Sequence, residues 1–334
     1  MLRWLKRIAT ALFILIVCLL LLIGIIRLQA IQYFAANTGS GYAKELPTSN
    51  AYPVGSHACS SQPMRVLTYN VRYGSDFLEA LMQRSRGGDP AGFLPWSVRY
   101  PEIRKRIASY APDLIGLQEM GNDKDIENIV SFDQYTLLNY HLGDFQYGDS
   151  ALLFKTSRFD MQASGQLWLG PNPKLPLSLG FKPLAMIRYV NWAVLKDKTN
   201  GFTFLFVNTH FDNNALNKEL SSNLFYERIS KLTTGLPMIV VGDFNSKGLT
   251  ERYRRLIGAD DVPPRLINAY DLAHAPTVDA ALHPNQRIDH ILAGGPCQVT
   301  ATQWQVDTKP LSNGQAMSDH DPIFAVLQFA GAKD

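Results

Sequence analysis

The sequence predicts an α/β domain of two packed β-sheets with helices outside, standing behind one membrane-crossing helix. Three observations carry that expectation. An uncharged run extends from Ile8 to Ile26, β-like segments recur after Met64 with few helical ones between them, and polar side chains stand where apolar strands end. With 334 residues, 46% of them hydrophobic, the chain can bury a full core, and five Trp and seventeen Phe argue against disorder. Three cysteines are too few for a disulfide scaffold and lack the paired spacing of a zinc site.

The first element is the apolar run. At ~1.5 Å per residue, Ile8 to Ile26 spans about 28 Å, which matches a hydrocarbon core of roughly 30 Å. We read residues 1–7 as a cytoplasmic N-terminus and 8–28 as an uncleaved transmembrane anchor. A cleaved signal is the lesser reading, because its apolar region is shorter and no small-x-small site follows closely. Arg3, Lys6 and Arg7 precede the span, and only Arg27 follows it closely. The positive-inside rule then places the rest of the chain outside the cytoplasm, in a periplasm or at a cell surface if the source is bacterial. Beyond residue 28 there are 28 basic side chains against 29 acidic ones. A sequence-independent nucleic-acid binder normally carries a basic surplus, and this part has none.

Residues 29–63 contain Gly39, Ser40, Gly41, Pro47, Pro53, Gly55 and Pro63 and read as a linker. As a flexible coil it would span on the order of 30 Å. Residues 64–330 follow without a composition break and are expected to form one domain. MRVLTYNVRYG opens it as a strand, and a polar loop extends from Gly74 to Trp96. RYPEIRKRIASY carries Ile103, Ile107 and Tyr110 at helical spacing. LIGLQE is a short apolar strand ending in a carboxylate. SALLFK, YVNWAVLK, FTFLFVNTH, MIVVGDFN, RIDHILA, VTATQWQV and IFAVLQF read as further strands, with helices expected over Asn217–Leu232 and Leu249–Ile257.

Polar groups gather at the strand ends: Asn70, Glu119, Asn208, His210, Asp243, Asn245, Asp289, Asp319 and His320. Any one of them alone fits a turn, a helix start or a hydrogen-bonded core residue. In LIGLQE, FLFVNTH, MIVVGDFN and RIDHI, an apolar strand delivers the polar group to a sheet edge, where the set can converge on one cleft. Carboxylates with amides and imidazoles suit a hard divalent cation and a phosphate.

The ordered series TYN, LQE, NTHFD, GDFN, RID and SDH resembles the endonuclease/exonuclease/phosphatase superfamily, the deoxyribonuclease-I-like fold, from Met64 to Phe329. SGQLWLG and RYVNWAVL resemble an uncharacterised, often secreted branch of it. The resemblance implies a four-layered α/β sandwich of two packed mixed β-sheets with outer helices, and phosphoester hydrolysis with Mg²⁺, Mn²⁺ being an alternative. It implies Glu119 as principal metal ligand, with Asn70 and Asp319 on the metal side. Asp243 would orient or deprotonate the attacking water, and Asn245 would help hold that water and the phosphate. His320 would contact a phosphate oxygen with Asp289 orienting it, and His210 would stabilise the transition state or protonate the leaving group. Arg188 and Asn208 are expected substrate contacts. His290 departs from the family pattern and is expected to point into the opposite face.

The expected function is therefore a membrane-tethered phosphoesterase, acting as a monomer on a lipid head group or small molecule. A nuclease is the alternative, and a catalytically dead binding module is less favoured. The basic runs Arg104-Lys105-Arg106 and Arg252 to Arg255 are expected on outer helix faces. Cys59 and Cys297 are the only exported cysteines; they pair and pin the linker, or stand as two unrelated thiols, the default reading.

Overall fold

The computed structural model describes residues 2–36, 46, 59–77, 79–80, 94–139, 148–175, 178, 180–182, 185–230, 235–261, 265–273 and 281–332. Helix α1 runs over Leu2–Ala36, and Trp4–Ile26 within it is long and apolar enough to cross a membrane or to serve as a signal sequence. The helix continues past the expected anchor, so residues 29–36 are helical rather than linker. Leu46, also expected in that linker, is buried in the apolar cluster that holds Leu167, Val190 and Phe225. Much of the Gly74–Trp96 loop, including Phe93, lies outside the described residues.

Among the described residues, twelve strands form two six-stranded sheets. The first sheet is ordered β11-β12-β1-β2-β4-β3, with β1 (Met64–Gly74), β2 (Leu114–Met120), β3 (Tyr135–Leu138), β4 (Gly148–Lys155), β11 (Cys297–Val306) and β12 (Ile323–Ala332). The second is β5-β6-β7-β8-β10-β9, with β5 (Phe159–Trp168), β6 (Tyr189–Asp197), β7 (Thr203–His210), β8 (Met238–Asp243), β9 (Leu266–Asn268) and β10 (Asp289–Gly294). β1 pairs parallel with β2 and β7 parallel with β8, and the remaining pairs are antiparallel.

Alternation along each strand builds the layers. Val66, Phe204, Phe206, Ile239 and Val241 face the cluster between the sheets. Leu67, Tyr69 and Val71 face outward against Trp96, Ile103 and Ile107 of helix α2 (Trp96–Tyr110). Leu205, Val207, Met238 and Val240 face outward against Phe225 and Ile229 of α4 (Ala215–Ser230), with Tyr253 and Leu256 of α5 (Glu251–Ile257) in the same cluster. Helix α3 (Asp123–Glu127) and helix α6 (Ala269–Leu272) are short. Strands covered on both faces are apolar at every position, which is why MIVV and FLFV read as continuous runs. β5 has no such run. Its Gly165 accommodates the Trp192 ring, which would lie 2.5 Å from a Cβ at that position.

At the end of the sandwich where β1 begins, Cys59 and Cys297 form a disulfide, and the default reading of two unrelated thiols is corrected. The same end holds a charge network. Asp113 accepts from Lys155 at 2.9 Å and Arg158 at 2.8 Å, and Arg158 also donates to Asp197 at 3.0 Å and to the Pro63 carbonyl at 2.9 Å.

Candidate active site

The strand registers assemble the site at the other end. His210 lies beside Asp243 in the parallel β7–β8 pair, and Asp243 lies beside Asp289 in the antiparallel β8–β10 pair. Three of the expected residues thus form one row across adjacent strands. Asn70 and Glu119 come from the parallel pair β1–β2 in the facing sheet, and Asp319 and His320 arrive on the loop before β12.

Local sequence explains how the strands approach closely enough. Gly242 has φ 148°, and a Cβ there would lie 2.0 Å from the Thr209 carbonyl oxygen, so only glycine lets β8 run this close to β7. Immediately afterwards Asn245 adopts φ 48°, its N–H donates to Asp243 Oδ1 at 2.8 Å, and its Nδ2 donates to the Phe211 carbonyl at 2.8 Å. Arg72, Tyr73 and Glu119 are left-handed as well, at φ 54°, 49° and 58°. Such backbone costs on the order of 1 kcal/mol or more per residue and persists only where the surroundings over-determine it.

Arg99 is one source of that constraint. Fully buried on α2, it donates to the carbonyls of Val71, Arg72 and Leu94 at 2.8 Å each and to that of Met317 at 2.7 Å. Its guanidinium also pairs with the buried Glu79 carboxylate at 3.3 Å. The end of β1 and the start of the Ser318–His320 loop are thereby tied to one side chain. The Tyr73 N–H then meets Glu119 Oε2 at 3.2 Å, and the Arg72 N–H meets Asn70 Oδ1 at 3.0 Å.

Asp243 is the hub. Its Oδ2 accepts from Asn70 Nδ2 at 3.1 Å and lies 3.4 Å from His210 Nε2 and 3.7 Å from His320 Nε2. Asn70 Nδ2 also donates to Glu119 Oε1 at 3.2 Å, so the amide spans the two carboxylates. Each imidazole is backed by a carboxylate on its far nitrogen: His320 Nδ1 is 2.7 Å from Asp289 Oδ2, and His210 Nδ1 is 2.9 Å from Asp149 Oδ1.

These partners decide the protonation states. Burial opposes a charge on His320, but Asp289, its hydrogen bond and Asp243 override it and push the pKa up to about 10. Burial and the Arg188 charge likewise oppose a cation on His210, yet Asp149 and Asp243 outweigh them and raise its pKa above the ordinary imidazole value. Burial would raise Asp149, but Arg188 and His210 hold it down at about 2. His320 therefore donates from Nδ1 and presents a second N–H toward Asp243 and whatever binds beside it, and His210 is biased toward the same doubly protonated form.

Asp243, Asp289 and His320 offer ligand atoms within 4.8 Å of one another, and the buried Asp289 Oδ1 has no hydrogen-bond partner among the described residues. A protonated His320 repels a cation there. The Glu119 side carries only oxygen ligands and fits a hard divalent cation better. Asp319 is half-exposed, 3.7 Å from Arg72 Nε.

Two expected contacts lie elsewhere. Asn208 is fully buried, its Nδ2 donating to the carbonyls of Leu117 and Ala151 at 3.0 and 2.7 Å and its Oδ1 accepting from Gln118 at 2.7 Å. It pins the two sheets together, and every one of these bonds would be lost by turning to a substrate. Arg188 is placed behind His210, paired with Asp149 and 3.0 Å from His210 Nδ1. His290 does face away, against Tyr253, with Nε2 at 2.9 Å from the Ser246 carbonyl, and burial lowers its pKa to about 4. Asp149 was missed because it begins a strand. β4 runs antiparallel to β2, so its start lies at the same edge as the end of β2.

The comparisons agree with this geometry. The family model described as the Endonuclease/Exonuclease/phosphatase family matches residues 67–320. A search of the curated proteins finds no match. Among solved structures, an endonuclease/exonuclease/phosphatase family protein from Bacteroides thetaiotaomicron aligns at TM-score 0.62 and 26% identity, covering 80% of this chain and 98% of that one. The Bacteroides thetaiotaomicron mannosyl-6-phosphatase aligns at 0.61 and 25%, covering 79% and 99%. An endonuclease/exonuclease/phosphatase from Bacteroides vulgatus aligns at 0.63 and 22%, covering 80% and 100%. With the motifs, the four layers and the family match in agreement, this chain belongs to the endonuclease/exonuclease/phosphatase family.

Proposed function

We propose that the protein is a membrane-tethered, divalent-metal-dependent phosphoesterase acting outside the cytoplasm on a small-molecule or lipid head-group phosphoester. The observation that carries this reading is the convergence of two carboxylate-backed imidazoles on Asp243 Oδ2, at 3.4 and 3.7 Å. Two N–H donors beside a fixed carboxylate match what water attack on phosphorus needs, because charge develops on the phosphoryl oxygens as the water loses a proton.

Glu119 and Asp319 would hold the cation, Mg²⁺ or Mn²⁺, with Asn70 bracing Glu119. When bound, the cation supplies Lewis-acid stabilisation of the phosphoryl group. Asp243, fixed through Oδ1 by the Asn245 N–H, orients the attacking water and accepts its proton. His320 donates to a non-bridging phosphate oxygen, held by Asp289. His210, held by Asp149 and Arg188, faces the opposite side and donates to the leaving group or the transition state. Asn245 borders the water and the phosphate.

The near-neutral balance beyond residue 28 supports a substrate smaller than a nucleic acid. The name of the mannosyl-6-phosphatase, 25% identical, supports phosphate esters of small polar molecules. The uncharged part of α1 and the positive charges before it support a tether with a cytoplasmic N-terminus, and the Cys59–Cys297 bridge supports an oxidising compartment. The test is turnover by the full-length chain in detergent of sugar phosphates, phospholipids and plasmid DNA, with Mg²⁺ or with chelator. Mg²⁺-dependent release from a sugar phosphate or lipid, faster than plasmid nicking, supports the proposal. Plasmid cleavage alone at physiological salt makes the nuclease reading the better one.

A further inference from the structure

The basic run Arg252 to Arg255, expected on an outer face, is divided by the structure. Arg254 does point outward, to Asp260 at 2.6 Å, with both side chains exposed. Arg252 turns back toward the catalytic loop, where its Nε donates to Ser246 Oγ at 3.1 Å. From α4, Lys218 Nζ reaches the same loop and donates to the Asn245 carbonyl at 3.0 Å. Two cations from different helices thus grip consecutive residues just after Asp243.

Neither cation has a carboxylate within ion-pair distance among the described residues. Each is part-buried, and burial together with the Arg252 charge lowers the Lys218 pKa against the opposing pull of Asp243 and Asp212. Holding like charges together with only Asp243 and Asp212, neither in ion-pair contact, to offset them is unfavourable, and an anion that binds both relieves it. The two bonds named use one of the three donors of the ammonium and one of the five of the guanidinium. The remaining donors combine a point charge with a planar fork, a pairing that suits a phosphate dianion.

We infer that Lys218 and Arg252 form a second anion subsite beside Asn245, and that the substrate is a small phosphoester carrying a second phosphate. The inference rests on the reading above that Asp243, Asn245 and the two imidazoles hold the scissile phosphate. A sugar bisphosphate and a bisphosphorylated lipid head group share this chemistry. The competing role for the pair is a brace that only shapes the Asn245–Ser246 loop.

Calorimetry on the full-length chain in detergent with EDTA separates these roles without relying on turnover. One arm compares fructose 6-phosphate with fructose 1,6-bisphosphate. The other compares short-chain phosphatidylinositol monophosphate with the corresponding bisphosphate. In at least one arm the bisphosphate should bind about tenfold more tightly, and K218Q/R252Q should remove that advantage. If the double variant does not fold, K218Q and R252Q singly should each reduce the ratio about threefold. The charge-preserving K218R/R252K should retain it. Absence of a preference in both arms overturns the subsite, as does an equal weakening of both ligands in K218Q/R252Q, the result a loop brace gives. Failure of any phosphate to bind refutes the phosphate site at Asp243, and with it the reading on which the subsite rests.

Discussion

The two ends of the sandwich are built on opposite principles. At the end where β1 starts, Cys59–Cys297 closes covalently and Arg158 satisfies Asp113, Asp197 and the Pro63 carbonyl at once. Charges there are paired, and among the described non-glycine residues of that end left-handed backbone is confined to Ala111, where α2 stops. At the end where β1 finishes, Arg72, Tyr73, Glu119 and Asn245 take left-handed backbone, Asp289 Oδ1 has no partner among the described residues, and three carboxylates crowd two imidazoles. The difference teaches where stability is stored and where it is given up. A site that binds charge at the moment of reaction cannot satisfy that charge internally beforehand.

Substitutions at the two ends should therefore separate activity from stability. Glu119→Gln should reduce phosphoester turnover by about a thousandfold or more, with the melting temperature held, because it weakens the metal site without emptying a core. Loss of the cooperative melt in that variant would break the comparison. Arg158→Met should do the reverse, costing about 3–5 kcal/mol of stability by leaving the buried Asp197 without its cation and Asp113 with Lys155 alone, and leaving turnover per folded molecule intact. Cys297→Ser should cost about 2–4 kcal/mol in denaturant melts, again with activity per folded molecule preserved.

A smaller effect sharpens the chemistry of the end proposed as catalytic. The His320 pKa is raised from 6.5 to about 10, so the cation is present at neutral pH and is lost as pH rises through the folded value. By linkage, its contribution to stability is complete below the unfolded pKa and disappears across that same alkaline window. Activity that depends on the cation should fall on the alkaline side. Asp289→Asn removes the largest charge that raises this pKa, and the alkaline limb should then move toward neutrality. A pH–rate profile reads the shift, and an unmoved limb would separate Asp289 from His320.

Much of this was legible in the sequence, for identifiable reasons. Strands covered on both faces are apolar throughout, so LIGLQE, FLFVNTH and MIVVGDFN announced themselves, and each delivered its polar residue to the correct edge. The order of the motifs supplied the family and the layers. What failed had no local signature. Asn208 shares a face of β7 with His210, two residues away, but it lies one residue pair deeper between the sheets and is spent on Leu117 and Ala151. Asp149 stands at the start of its strand, and only the antiparallel pairing of β4 with β2 brings it to His210. Arg252 and Arg254 belong to one basic run, and the helical turn divides them between the catalytic loop and solvent. β5 is interrupted by polar residues and by the glycine that Trp192 requires.

The proposed role of Asp243 is the most exposed to direct measurement. Asp243→Asn keeps the shape of the side chain and its contact with the Asn245 N–H while removing the charge that both imidazoles face. Turnover of a phosphoester that the full-length wild-type chain hydrolyses with Mg²⁺, measured beside thermal melting, is the decisive pair of readings. The expected result is a loss of about a thousandfold or more with a cooperative melt retained, since the substitution keeps the shape of the side chain. Turnover within threefold of wild type in a folded Asp243→Asn protein would contradict the assignment of the water to this carboxylate and the mechanism built on it.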